Sequence, residues 1–467
     1  VKYIYTILIS WLILGSIHSQ ESTLAPSKLS FSDFLSMVKN YHPVVKQGDL
    51  LIQSGLAGML SANGNFDPKI NSSFQQKRFK EDPYYTLWNT SLEVPTKLGL
   101  SVNAGYDRTS GINLNPQNLD PEGGLLYAGV KLPIGQGLLY DKRRAQLDQA
   151  EIMISMSELQ RSILINDLLL DAGLAYWTWW EAYELNQLLE QSVSIAEDRL
   201  SGTLQSIEAG DQRGVDSIEA RILVQTLTLA QQEALINYLS TTLLLSAYLW
   251  DDNETPLIID RNTSPSNNET SLLSTDNTLV QNKLLEELRQ HPLLEQYDNK
   301  IQQLAVKKRL AKEGMKPKVD LKYNFLADAS GGASQSFNNY TLAVDFSIPL
   351  LFRQAKANIQ RAEIEIQDTG LAQANKQREL ENKLAASIVK WKTYINQFQQ
   401  ASAMANNYNI MLEAEQELFD NGESSLFLIN SRQNKLVAAE QKTIELLRKI
   451  QESKLEAFYY AGNSTDL

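Results

Sequence analysis

Residues 318–326 read Lys-Val-Asp-Leu-Lys-Tyr-Asn-Phe-Leu, and residues 340–348 read Tyr-Thr-Leu-Ala-Val-Asp-Phe-Ser-Ile. In the first run Val319, Leu321, Tyr323 and Phe325 share one side, and Lys318, Asp320, Lys322 and Asn324 share the other. In the second, Tyr340, Leu342, Val344, Phe346 and Ile348 oppose Thr341, Ala343, Asp345 and Ser347. Strict period two means strands with one apolar and one wet face. Each run is about the 9–11 residues that a tilted membrane strand needs. A soluble sheet would turn the apolar face to a core; a membrane barrel would turn it to lipid and line water with the other. Alternation alone fits both, so the flanking sequence decides.

Those flanks are duplicated. A His-Pro helix start occurs at Tyr41-His42-Pro43 and again at Gln290-His291-Pro292. Each leads through a helix into a Gly/Pro break, Gly64-Asn65-Phe66-Asp67-Pro68 and Gly314-Met315-Lys316-Pro317. Each β region then exits at a proline, Pro133 in Leu132-Pro133-Ile134 and Pro349 in Ile348-Pro349-Leu350. Very long helical stretches follow. Residues 141–209 hold no proline and only Gly173 and Gly202; residues 353–419 hold one glycine, Gly370. At 1.5 Å per residue each helix would reach roughly 100 Å, far beyond the usual globular length. Such helices need partners along their whole length. Leu380, Leu384, Ile388, Trp391, Ile395, Phe398, Ala405 and Leu412 supply a seam in steps of three and four, interrupted at Ser402.

Each long helix closes at a glycine turn, Ala209-Gly210-Asp211 and Asn421-Gly422-Glu423, and a second helix returns over about 216–250 and 425–460. The reading divides the chain into repeat 1 (21–250, β segment about 68–133, helical hairpin about 140–250), a linker at 251–274 and repeat 2 (275–467, β segment about 317–349, hairpin about 352–461). From Pro43 to Pro133 is 90 residues and from Pro292 to Pro349 is 57, a surplus of 33 in the first β region. Two readings stand: a long outer loop at Gly111 to Gly124, or an extra hairpin turning at Pro95-Thr96-Lys97-Leu98-Gly99.

Composition narrows the function. A net charge of −12 without a basic patch argues against a nucleic-acid partner. There are no cysteines, so disulfides, thiol nucleophiles and thiolate metal sites are excluded. Three histidines, His18, His42 and His291, do not make a metal or triad site. Residues 1–20 read as an export signal: Lys2, an apolar run from Ile4 to Ile17, and small residues near Ser19. Later in the chain, Thr241 to Trp250 is apolar but too short to span a membrane. Gly135-Gln136-Gly137 lacks the third glycine of a dinucleotide fingerprint. Trp177, Trp179 and Trp180 read as packing of the helical belt, and carboxylate pairs such as Glu286-Glu287 as solvated helix faces. No convergent acid and base set is visible, so the reading is no enzyme and no cofactor.

In this order and spacing the duplication, the strand-proline-helix transitions and the glycine-tipped hairpins resemble the outer-membrane efflux protein family, the TolC type, over about 28–461. The transitions are Lys131 to Gly135 with Asp141 to Ala145, and Phe346 to Leu350 with Ala355 to Ala362. The resemblance implies a membrane β-barrel joined to a long α-helical barrel, built as a homotrimer with four strands per protomer. It implies a bacterial outer-membrane location with the helices in the periplasm. It also implies a passive exit duct for an efflux pump or type I secretion system, with a periplasmic adaptor, an inner-membrane transporter and outer-membrane lipid as partners. A non-conducting envelope scaffold is the alternative. The family closes its periplasmic tip with polar residues near the turn glycines. After Gly210, Asp216 stands where the family has an acid, with Glu219 beside it; after Gly422 the matching places hold Ser424, Leu428 and Ser431, all departures. Asp216 and Glu219 are equally read as acids complementing the positive end of their helix.

Overall fold

The computed structural model describes residues 28–260, 262–266, 277–331 and 338–462. The export signal expected at 1–20 lies outside them. Repeat 1 contains β1 (Lys28–Leu29), α1 (Phe31–Tyr41), α2 (Pro43–Asn63), β2 (Lys69–Phe79), β3 (Asp82–Pro95), β4 (Ser101–Ser110), β5 (Leu125–Pro133), α3 (Lys142–Glu208) and α4 (Gly214–Ser246). The joining segment holds β6 (Ser264–Pro265). Repeat 2 contains α5 (Asn277–Glu287), α6 (Pro292–Glu313), β7 (Lys318–Asp328), β8 (Tyr340–Ser347), α7 (Arg353–Asp420) and α8 (Leu426–Ala461). Two compact units form, and both cut across the repeats: a sheet unit of 44–171, 274–396 and 449–467, and a tip unit of 1–43, 172–273 and 397–448.

Local chemistry sets the boundaries. Helices α2 and α6 start on Pro43 and Pro292, whose missing N–H costs nothing at the first helical position. His291 caps α6: its Nδ1 accepts the Leu293 N–H at 3.1 Å. The turns after α3 and α7 are the same left-handed closure. Gly210 has φ +87° and Gly422 φ +77°. In the first, the Gly210 N–H donates to Ile207 O (3.0 Å) and the Asp211 N–H to Ser206 O (2.9 Å). In the second, Gly422 donates to Phe419 O (2.9 Å) and Glu423 to Leu418 O (2.8 Å). This pair of bonds satisfies carbonyls that the helix end leaves open.

The sheet unit holds one six-stranded antiparallel sheet in the order β2-β3-β4-β5-β7-β8. Four strands were expected, and the sheet of this one chain holds six. The surplus residues of repeat 1 supply both features that the sequence left open. Residues 96–100 turn between β3 and β4, held by the Thr96 N–H on Leu100 O (3.0 Å) and the Gly99 N–H on Thr96 O (3.2 Å). Residues 111–124 form the loop between β4 and β5. β2 and β3 meet at Lys80 and Glu81, both left-handed, a two-residue hairpin turn whose twist suits the strands.

In the sheet unit, Leu284 and Leu288 of α5 and its following turn, Leu294 of α6, Leu380, Leu384 and Ile388 of α7, and Ala457 and Ala461 of α8 form one apolar cluster. The seam read on α7 from its spacing is thus core over this stretch. In the tip unit, Leu189 and Ala196 of α3 pack on Leu223 and Leu227 of α4 and Val437 of α8. The tryptophans of α3 are core here: Trp177 and Trp179 are fully buried. Trp179 Nε1 donates to Thr242 Oγ1 of α4 (3.0 Å), and Tyr176 OH donates to Leu29 O of β1 (2.9 Å). β1 pairs in parallel with β6, so part of the joining segment is strapped down; Leu257 and Ile259 are buried. The apolar run Leu257-Ile258-Ile259 is the sequence reason.

Two predictions follow from these boundaries. Gly210→Ala and Gly422→Ala place a Cβ on left-handed backbone and should each cost about 1 kcal/mol. Gly202→Ala lies within α3 with open space around it and should stabilise by a similar amount. Thermal midpoints of the three variants check the opposite signs. Burial lowers the His291 pKa to about 4 from 6.5. Tyr459, Lys376 and Asp167 face the imidazole, and Lys376 lowers the pKa further. The unfolded chain therefore takes up the proton first, and stability falls as pH drops from about 6.5 toward 4. His291→Asn keeps a capping oxygen and should flatten the thermal midpoint over that range.

Candidate functional site

The two faces of the sheet differ along its whole width. The ladder sets Ile70, Leu92, Ala104, Ala128, Phe325 and Tyr340 in one row across all six strands. A second row on that face runs Val94, Val102, Val130, Tyr323 and Leu342. These side chains are not covered: Ile70 is 76% exposed, Leu342 56% and Phe346 65%. Aromatic rings cluster among them, with Trp88 edge-on to Tyr106 at 5.8 Å and Tyr323 stacked on Tyr340 at 5.5 Å. An exposed apolar band of this extent, carrying Trp and Tyr, is what a lipid-facing wall presents.

The opposite face is polar in register. Lys69, Glu93, Asn103, Gly129, Asn324 and Thr341 form its matching row. Asn103 Nδ2 donates to Asn324 Oδ1 at 2.8 Å, across Gly129. A Cβ on Gly129 would lie 2.3 Å from that oxygen, so glycine there is what lets the two amides meet. Asp320 is buried between Lys131 (3.5 Å) and Lys318 (3.7 Å), and Lys322 pairs with Asp345 at 3.0 Å. Cations and anions alternate, so this face is wet without a single sign.

The β-to-α transitions are built differently in the two repeats. Pro133 ends β5 opposite Asp320. Beyond it, the Ile134 N–H donates to Val319 O (2.7 Å) and the Gln136 N–H to Pro317 O (2.8 Å). Gly135 passes so close to Pro317 O that a Cβ would sit 2.0 Å from it. Gly135-Gln136-Gly137 is thus strand-exit backbone. Asp141 then caps α3, its Oδ1 accepting the Arg144 N–H at 2.9 Å. The Arg144 guanidinium donates to the carbonyls of Gly137 (2.5 Å), Leu138 (3.0 Å) and Leu139 (2.8 Å), locking the turn. This role of Arg144 is not visible along the chain, because its acceptors are main-chain oxygens that no side-chain pattern displays. Pro349 follows β8, and Phe352 takes a left-handed φ of +49° before its carbonyl accepts the Lys356 N–H in α7.

At the first tip, Asp216 Oδ2 accepts the Arg213 N–H (3.2 Å), and its other oxygen lies 3.6 Å from the Arg213 guanidinium. Glu219, one turn along α4, is half-buried. At the second tip, Ser424 is held to the buried Glu415, whose other oxygen lies 3.4 Å from Arg432. Leu428 is exposed and Ser431 half-buried. Glu415 and Arg432 were missed because they stand 17 residues apart on separate helices. Arg199 of α3 reaches Asn430 Oδ1 (3.5 Å) and Gln433 Oε1 (3.4 Å) of α8, joining the two hairpins. Burial lowers the pKa of Arg199, yet a guanidinium stays charged.

The tip unit also leaves apolar stripes uncovered. Val215, Ile222, Leu229, Ile236 and Leu243 recur every seven residues along α4, and all are exposed. Met404, Met411 and Leu418 do the same on α7. Seven-residue spacing is the seam of helices that pack side by side. Among the described residues no helix is long and apolar enough to cross a membrane, and no cluster of His, Cys, Asp or Glu is placed to hold a metal ion.

Comparison with known proteins supports this geometry. Residues 284–459 match the family model for outer membrane efflux protein. The fold is similar to that of the CmeC outer membrane channel of Campylobacter jejuni, with TM-score 0.61, 15% identity and coverage of 93% of this chain and 85% of that one. It is similar to the open state of the Neisseria gonorrhoeae MtrE outer membrane channel (0.63, 12%, 92% and 88%). The outer membrane protein VceC of Vibrio cholerae also has it (0.64, 10%, 92% and 96%). No curated protein sequence matches the chain. The resemblance read from the sequence is therefore present twice, as a family match in repeat 2 and as a shared fold. CmeC and MtrE are outer membrane channels.

The two faces make an asymmetric prediction. Val344→Arg, mid-strand on the apolar face, should lower the stability of the protein in bilayers by about 2–4 kcal/mol. Thr341→Arg on the wet face should change it by less than about 1 kcal/mol. Urea unfolding from liposomes measures both.

Proposed function

From the premise of an outer-membrane efflux protein of the TolC type, we propose that this chain forms the exit duct of an efflux pump or a type I secretion system. It resides in the bacterial outer membrane with its helical part in the periplasm. Copies assemble as a homotrimer whose strands form the membrane wall and whose helices form the periplasmic conduit. The single observation that carries this reading is the sheet, in which an exposed apolar row crosses all six strands while the adjoining row on the other face is polar. A water-filled wall in lipid needs that arrangement. A non-conducting scaffold has no use for it.

The heptad stripes on α4 and α7 support self-assembly, since helices this long bury such seams against neighbours. Conduction is passive. The chain contributes no chemistry, and an inner-membrane transporter supplies the energy through a periplasmic adaptor. The hairpin turns at Gly210 and Gly422 are the docking points for that adaptor. Asp216, Glu219, Ser424, Leu428 and Ser431 surround the gate, which lacks a full second set of acids. The Glu415–Arg432 pair and the Arg199 contacts brace the helices behind it.

Shortening both tips, by removing residues 206–214 and 418–425, should abolish export while the trimer still assembles and conducts ions in planar bilayers. Unchanged export after that deletion would contradict the docking role. Absence of conductance from the intact protein would contradict the duct itself.

A further inference from the structure

The described sheet is open. Its order begins at β2 and ends at β8, and these two edges are not paired with each other. The lipid-facing row nevertheless continues to both edges, with Ile70 and Phe74 on β2 and Tyr340, Leu342, Val344 and Phe346 on β8 exposed on one face. An edge strand with a lipid-facing side chain row cannot stay unpaired in a bilayer, because no water is there to take its N–H and C=O groups.

We propose that β2 of one copy pairs with β8 of the next, so that all six strands of each copy stand in the membrane wall. This rests on the homotrimer proposed above, and gives an eighteen-stranded barrel in place of the twelve strands that the resemblance implies. The edges are directed for it. β2 follows α2 and runs away from the helical end of the sheet, whereas β8 returns to that end before α7. Six is an even number, so the seam is antiparallel like every other pairing in the sheet.

The extra hairpin is part of the wall and not a flap. β3 is laddered to β2 and to β4 over ten or more residues on each side, and its Trp88, Leu92 and Val94 continue the apolar face. With strands about 4.8 Å apart and tilted by about 40°, eighteen strands enclose a backbone diameter of roughly 36 Å, against roughly 24 Å for twelve. Barrels of that strand number leave an open aqueous channel. The outer opening then admits hydrated polymers, polypeptides among them, as well as small solutes.

Electron cryomicroscopy of the detergent-purified full chain tests this by counting strands in the wall. A closed ring of eighteen is expected. A trimer with twelve wall strands and the hairpin outside or within the ring would overturn this inference and leave the duct standing, whereas monomers or open chains would overturn the duct as well. Cysteine pairs give a second readout, since the chain has none of its own. Ser73→Cys combined in turn with Thr341→Cys, Ala343→Cys and Asp345→Cys should give one pairing that links copies covalently into trimers on a denaturing gel. Intact trimers with no linked copies from any of the three pairings would contradict the seam.

Discussion

Backbone in a hydrocarbon layer has no solvent to bond to, and under the proposed membrane location this constraint orders the sheet. It requires every strand to have two neighbours and every outward side chain to be apolar. The sheet goes far toward the second demand within one chain, since Ile70, Leu92, Ala104, Ala128, Phe325 and Tyr340 lie in one apolar row. It does not meet the first, since β2 and β8 end the sheet. On the proposed reading, further copies supply the missing neighbours at these two edges.

The helical portions follow a parallel logic in water. Helices of 67 and 68 residues cannot be stabilised by their own hydrogen bonds alone. Part of their surface is buried within each unit, by the Leu380, Leu384 and Ile388 cluster in one and by the Trp177 and Trp179 cluster in the other. Part remains as exposed heptad stripes on α4 and α7. The closures at Gly210 and Gly422 use the same two hydrogen bonds with different side chains flanking them. The polar contacts of the two tips differ: Asp216 caps α4 at one tip, whereas Ser424 and Arg432 hold Glu415 at the other.

What could be read from the sequence was whatever is local. β7 and β8 announce themselves because their period-two pattern is clean, and α2, α6 and the two turns because proline and glycine act on their own residue. β3 was not legible. Its lipid face mixes Thr86 and Thr90 with Trp88 and Leu92, and its wet face includes Tyr85 and Leu87, so the alternation blurs. The resemblance pointed to four strands, and only the ladder reveals six. At the tips, the glycines and Asp216 are visible by spacing. Arg199 with Asn430, and Glu415 with Arg432, are joined by tertiary packing and leave no pattern along the chain. Arg144 is local but bonds carbonyls, which every residue has.

The central claim is that lipid touches the apolar face of the sheet, and Trp88 offers a direct probe of it. It lies on that face against Tyr106, while Trp177, Trp179, Trp180 and Trp391 are buried in the helical packing. In a variant retaining Trp88 as its sole tryptophan, reconstituted in vesicles with brominated acyl chains, the account predicts strong quenching of its fluorescence and little from an aqueous quencher. Fluorescence untouched by the brominated lipid and quenched freely from water would contradict it.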